Sequence, residues 1–150
     1  MNLDVKISGF SRDVRALAKT FPKVMPDNMT RRFYEWQELR QLYRDADIVV
    51  ISMFQSVDSA GITTLMEAMA CGRPVIVTRT IGLSDYLQTP GTVTTVEPED
   101  VTGLKAAIVN LLEHPHQAEE QAKCAYKMVT EHHNSEQYVK TLTSLIRSMG

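Results

Sequence analysis

Two runs of aliphatic residues, Ile48-Val49-Val50-Ile51 and Val75-Ile76-Val77, stand on either side of a segment with helical periodicity. This pattern restricts the fold more than any other in the chain. A strand wetted on one face alternates apolar and polar residues. A continuous β-branched run has no solvated face and fits a strand buried on both sides of a parallel sheet. Parallel neighbours need a long crossover connection, usually a helix, and the segment between the runs supplies one.

The rest of the chain continues the alternation. Residues 3–8 read as a strand with Leu3, Val5 and Ile7 on one side, ended by Gly9. Ser11 is placed to cap a helix carrying Val14, Leu17 and Ala18, which Pro22 and Pro26 break. A short strand is predicted over 30–34 and a helix over 35–45 with Leu39, Leu42 and Tyr43 on one face. After the 48–51 strand come a loop over 52–60, a helix over 62–71 ended by Gly72, and a strand over 74–78. A helical turn over 82–87, a strand over 92–96, and helices over 101–113, 117–131 and 136–149 complete the chain, with Pro115 and Asn134 between the last three.

This order predicts one Rossmann-like, three-layer α/β/α domain over residues 1–150, with a mostly parallel five-stranded sheet. The runs 49–51 and 75–77 should be central and buried. In such sheets ligands bind at the carboxyl ends of the strands, which points to the loops after Ser52 and Thr78.

Bulk properties exclude several classes. A length of 150 residues suits one domain, and a hydrophobic fraction of 43% is enough for a core. A net charge of -2 gives no basic field, which argues against nucleic acid as the main partner. No apolar run is long enough to form a transmembrane segment, and the start, Met1-Asn2-Leu3-Asp4, is not a signal peptide. Cys71 and Cys124 lie far apart with no CxxC spacing, as expected of reduced thiols in a cytoplasmic protein.

Chemistry concentrates in residues 56–78, SVDSAGITTLMEAMACGRPVIVT. Gly61 allows close backbone approach or a positive φ. The N–H groups of Ile62, Thr63 and Thr64 then point out of a helix start, where the dipole favours phosphate. The hydroxyls of Thr63 and Thr64 add donors, and Glu67, one turn on, can accept hydrogen bonds from ribose hydroxyls. A second reading stays open: Thr64-Leu65-Met66-Glu67 also spells a capping box, in which the two polar residues serve only the helix's own donors.

The stretch EAMACGRPVIVT, residues 67–78, resembles the signature of retaining GT-B glycosyltransferases of the family-4 type, the glycosyl transferases of group 1. LYRDADIVVIS at 42–52 resembles the family's strand entering the site, and LKAAIVNLLEHP at 104–115 its helix after the last strand. The resemblance implies the carboxyl-terminal, donor-binding half of a GT-B fold, two facing Rossmann-like domains. It implies a nucleotide-diphosphate sugar as substrate, transfer of its sugar to an acceptor, and neither a cofactor nor a metal ion. Glu67 takes the ribose-binding position, and the backbone from Gly61 through Ile62, Thr63 and Thr64 the diphosphate position.

This chain departs from the pattern in specific places. The family's first acid lies eight residues before the second, and Ser59 stands there, with Asp58 one residue further away. A one-residue insertion would carry Asp58 into that role, so Asp58 and Ser59 are the catalytic candidates. The turn between Phe33 and Leu39 is shorter than the family's equivalent. No segment matches the family's first strand-turn-helix with its Arg and Lys, and the resemblance covers none of the family's acceptor domain, which is expected to lie outside this chain. The chain alone is therefore expected to transfer no sugar and to need the missing amino-terminal domain or a partner chain, which would also make any peripheral membrane contact. The gap left by the missing strand is expected to be closed by pairing of strands 5–8 and 48–51, or by a strand of another chain. The alternative function is a non-catalytic nucleotide-binding or protein-interaction module that keeps the fold.

Other residues attract blander readings. Arg79 reads as a solvated loop arginine, Arg31 and Arg32 as an exposed strand end, and Trp36 as a packing residue. Asp85 sits either as a dipole partner or at a family position that is often acidic. His114, His116, His132 and His133 have no metal-ligand spacing, and Cys71 reads as buried and inert.

Overall fold

The computed structural model describes residues 3–8 and 24–149. The expected helix with Val14, Leu17 and Ala18, together with Gly9, Ser11 and Pro22, lies outside the described residues. The chain divides into two compact units, Met1–Leu42 and Tyr43–Gly150.

In the first unit, β1 (Val5–Ser8) pairs in parallel with β2 (Met29–Arg32), with Val5 opposite Met29 and Ser8 opposite Arg32. Both strands alternate half-covered and exposed residues, so Lys6, Thr30 and Arg32 lie on the open side. The Arg32 guanidinium stacks 4.1 Å over the Tyr34 ring and pairs with Glu38 at 3.0 Å. Helix α1 (Trp36–Asp45) follows, and its last residues, from Tyr43 on, belong to the second unit. Trp36 is exposed, against the expectation of a packing residue. It stands at the first position of a helix whose buried residue, Tyr43, is two turns further on.

The second unit holds a parallel sheet of β3 (Val49–Ile51), β4 (Val75–Thr78) and β5 (Thr94–Val96), with β4 in the middle. β4 has neighbours on both sides, and Val75, Ile76 and Val77 are fully buried. Helix α2 (Ile62–Ala70) crosses from β3 to β4, and a 3-10 turn over Ile81–Tyr86 follows β4. Helices α3 (Val101–Glu113), α4 (Pro115–His132) and α5 (Ser135–Ser148) complete the unit. α2 packs on α4, and α3 packs on β4, β5 and α4. One cluster joins Ile76, Val96, Leu111 and Ala118, with Ile48, Leu104 and Ile108 against it. α5 buries no residue and leaves Tyr138, Val139, Leu145 and Ile146 exposed.

Two expectations are corrected. The described strands form a two-stranded and a three-stranded sheet, not one of five. Of the two closures expected, the direct pairing of β1 with β3 is the one overturned: among the described residues the partner of β1 is β2 and that of β3 is β4. The polar open side of β1 and β2 suits a sheet covered on one face, which the continuous runs of β3 and β4 do not. Nor is β3 central. Among the described strands it is an edge of its sheet, and Val50 is 41% exposed while Ile51 is buried.

Candidate functional site

The loops that leave the carboxyl ends of β3 and β4 meet each other. At their base the Met53 N–H donates to the Thr78 hydroxyl at 3.0 Å, tying the two strand ends together. Further out, Gln55 Oε1 accepts from the Ile81 N–H at 3.3 Å, and Ser56 O accepts from the Gly82 N–H at 3.1 Å. Thr78, Gln55 and Gly82 carry no signal of this role in the sequence, because each acts across the chain and not along it.

The β3 loop then turns into α2 through Gly61, whose φ of +84° lies in the left-handed region that glycine adopts freely. Space is short there too: a Cβ at Gly61 would meet Met53 Sδ at 2.7 Å and Ile51 Cγ2 at 3.2 Å. Both predicted uses of Gly61, positive φ and close approach, are present. α2 starts without a side-chain cap, and its first rung runs from Leu65 N–H to Gly61 O at 2.9 Å. The N–H groups of Thr63 and Thr64 therefore have no partner from the helix ladder. Ile62 differs from expectation: its N–H donates back to Ser59 O at 3.1 Å, closing the turn. Of the amides proposed for phosphate, those of Thr63 and Thr64 remain available to a ligand at this end.

The capping-box reading of Thr64 and Glu67 fails. The N-cap is Gly61, so Thr64 lies inside the first turn. Glu67 reaches sideways instead of back, and its Oε2 accepts from the Tyr43 hydroxyl at 3.0 Å. Burial, then the hydrogen bond to Glu67, pushes the Tyr43 phenol up to about 12. Tyr43 was legible in the sequence only as an apolar-face residue of α1.

The two catalytic candidates are exposed. Asp58 is held within its own loop, where Oδ1 accepts from the Ser56 hydroxyl and from the Ala60 N–H at 3.2 Å. The Ser56 hydroxyl first, then the Ala60 N–H, holds the Asp58 carboxyl below its usual range. Ser59 contributes its carbonyl to the turn at Ile62. The far end of α2 closes as expected: Gly72 has φ +67°, its N–H donates to Met69 O, and Arg73 N–H donates to Ala68 O, a Schellman motif. Cys71, expected to be buried, is partly exposed because it occupies the cap position.

The lesser candidates fall outside this cluster. Arg79 pairs with Glu97 at 3.1 Å and donates to Thr95 at 2.7 Å. Asp85 accepts from Gln88, and His133 stacks at a tilt on Tyr86. Among the described residues, no group of three or more His, Cys, Asp or Glu side chains could hold a metal ion. Asp45-Ala46-Asp47 spells D-x-D, but it precedes β3 and so lies at the opposite end of the strand from the 52–61 loop. A concavity of about 320 Å³ on α5, lined by Val139, Lys140 and Arg147 among others, includes none of the predicted site residues.

The parallel sheet with a glycine-started helix at its carboxyl edge has the α/β arrangement that the resemblance implied. The family model for glycosyl transferases group 1 matches residues 5–114. The chain belongs to this family. Among solved structures, sucrose-phosphate synthase from Thermosynechococcus elongatus is similar at 27% identity with a TM-score of 0.69, over 82% of this chain and 30% of that one. HepE of Anabaena, solved with UDP and glucose, matches at 17% identity with a TM-score of 0.70, over 95% of this chain and 49% of that one. HepE with UDP-glucose matches at 18% identity with a TM-score of 0.69, over 87% of this chain and 36% of that one. The group 1 chain thus spans at most about half the length of these structures, and it shares the Rossmann-like α/β arrangement of GT-B glycosyltransferases. No curated protein sequence matches it significantly.

Proposed function

We propose that this chain is the donor-binding half of a glycosyltransferase that moves a sugar from a nucleotide-diphosphate sugar to an acceptor. The observation that carries the reading is the start of α2. There, the uncapped N–H groups of Thr63 and Thr64 follow a left-handed Gly61, with the Glu67 carboxylate one turn on. Uncapped amides and the positive end of the helix dipole suit a diphosphate and the charge that develops on it as the sugar leaves. A carboxylate only accepts hydrogen bonds, which suits ribose hydroxyls and not phosphate. HepE, whose structures hold UDP and UDP-glucose, supports the ligand class. Asp58 and Ser59 are then the candidates for the sugar side of the site, and neither a cofactor nor a metal ion is needed.

Acceptor binding is assigned to a domain outside these 150 residues or to a partner chain, and the 150 residues alone are expected to transfer no sugar. Among the described residues no helix is long and apolar enough to cross a membrane. The free thiols of Cys71 and Cys124 support a cytoplasmic place, and the family a role in carbohydrate biosynthesis. A non-catalytic nucleotide-binding module is the second reading, favoured by the engagement of Asp58 within its own loop.

Calorimetric titration with UDP, GDP and ADP tests the ligand class. At least one should bind, and Glu67→Gln should weaken it by about 1.5–3 kcal/mol, the value of a charge-assisted hydrogen bond. Equal affinity for wild type and Glu67→Gln would remove the ribose assignment.

A further inference from the structure

Glu67 is half-buried in the second turn of α2, and one of its two oxygens is already engaged, since Oε2 accepts from the Tyr43 hydroxyl at 3.0 Å. Tyr43 itself is 7% exposed, so its ring is fixed by packing in α1. An unrestrained glutamate has three torsions to order when a ligand binds, and ordering them weakens binding. A packed tyrosine that grips the carboxylate moves that ordering into folding. We propose that Tyr43 is a positioning residue for nucleotide recognition: its hydroxyl holds the Glu67 carboxylate so that Oε1 is presented to the vicinal hydroxyls of a ribose. This rests on the reading of Glu67 as the ribose contact.

The chemistry is consistent on both sides of the bond. A carboxylate accepts and a neutral phenol donates, so the pair is matched without a second proton. The phenol, pushed up to about 12, stays protonated throughout the neutral range and keeps its grip there.

The alternative is that Tyr43 merely ties α1 to α2, and the two roles respond differently to the sugar of the ligand. The probe is whichever of UDP, GDP and ADP binds the whole chain best, compared with its 2′,3′-dideoxy analogue. Wild type should prefer the ribose form. Tyr43→Phe, which keeps the ring, should lose roughly three- to tenfold in affinity for the ribose form, and nothing for the dideoxy form. Glu67→Gln should lose more on the same ligand. If Tyr43→Phe weakens both forms equally, or weakens neither while Glu67→Gln weakens the ribose form, the positioning role is overturned and the ribose contact stands. If Glu67→Gln changes nothing, or none of the three diphosphates binds, the ribose reading fails and this inference with it. A measurement on the wild type guards against misfolding of the Phe variant. The Tyr43 ring-carbon resonances should titrate above the ordinary phenol range, chiefly through burial and then through the bond to Glu67, free and ligand-saturated alike. A lower midpoint in the ligand-saturated chain than in the free one would show that the bond to Glu67 loosens on binding, against the proposal.

Discussion

Gly82 lies so close to the backbone of Asp58 that a Cβ on it would stand 1.7 Å from the Asp58 carbonyl oxygen. The same glycine donates its N–H to Ser56 O at 3.1 Å. The loop after β3 and the turn after β4 are therefore pressed together, backbone on backbone, just before α2 begins. A ligand at the start of α2 would sit on a loop whose position is set by this contact.

Gly82→Ala is accordingly expected to push the 52–61 loop away from the 3-10 turn. Backbone cannot give way as a flexible side chain can, so the variant should lose about 1–3 kcal/mol in urea unfolding. An unchanged midpoint would show that the two loops are not locked.

Gly61 and Gly72 bracket α2, and both have positive φ, +84° and +67°. Their surroundings differ, because a Cβ at Gly72 meets nothing within 4 Å while one at Gly61 meets Met53 and Ile51. Alanine at Gly72 should cost about 1 kcal/mol from backbone strain alone. Alanine at Gly61 should cost more, about 2–3 kcal/mol, because Met53 and Ile51 must also move. Equal losses would mean that the Gly61 site has slack.

Asp58 supplies a pH prediction. Its carboxyl is held below the ordinary 3.8 in the folded chain, chiefly by the Ser56 hydroxyl. A depressed folded value means that the carboxylate supports the loop above the unfolded value and loses that support as pH falls through the folded one. The loop should therefore be unchanged from neutral pH down to about 4 and loosen only below it. In carboxyl-carbon NMR, Ser56→Ala should move the Asp58 midpoint upward. No movement would place the cause elsewhere.

Much of this was written locally. β4 declared itself through its unbroken Pro74–Thr78 run, and Gly72 declared the end of α2, because burial on both faces and a left-handed cap depend on adjacent residues. β3 shows where locality fails. Its run is as apolar as that of β4, but being an edge depends on which strand lies beside it, and the run cannot record that. Thr64 and Glu67 spell a capping box equally well, yet Gly61 takes the cap and Glu67 turns to Tyr43, 24 residues back along the chain. The three-residue spacing of a capping box cannot detect a partner on another helix. Asp58 was found by its offset from a family pattern, while its hold on Ser56 and Ala60 became visible only with the loop folded.

The central claim is that a nucleoside diphosphate sits at the start of α2, and an amide-resolved NMR titration of the isotopically labelled chain tests it most directly. With the tightest-binding of UDP, GDP and ADP, the largest shifts should fall on the N–H groups of Gly61, Thr63 and Thr64, with the Tyr43 and Glu67 region following. The N–H groups lining the α5 concavity at Val139, Lys140 and Arg147 should stay still. Shifts confined to α5, or none at Gly61–Thr64 at saturating ligand, would contradict the account.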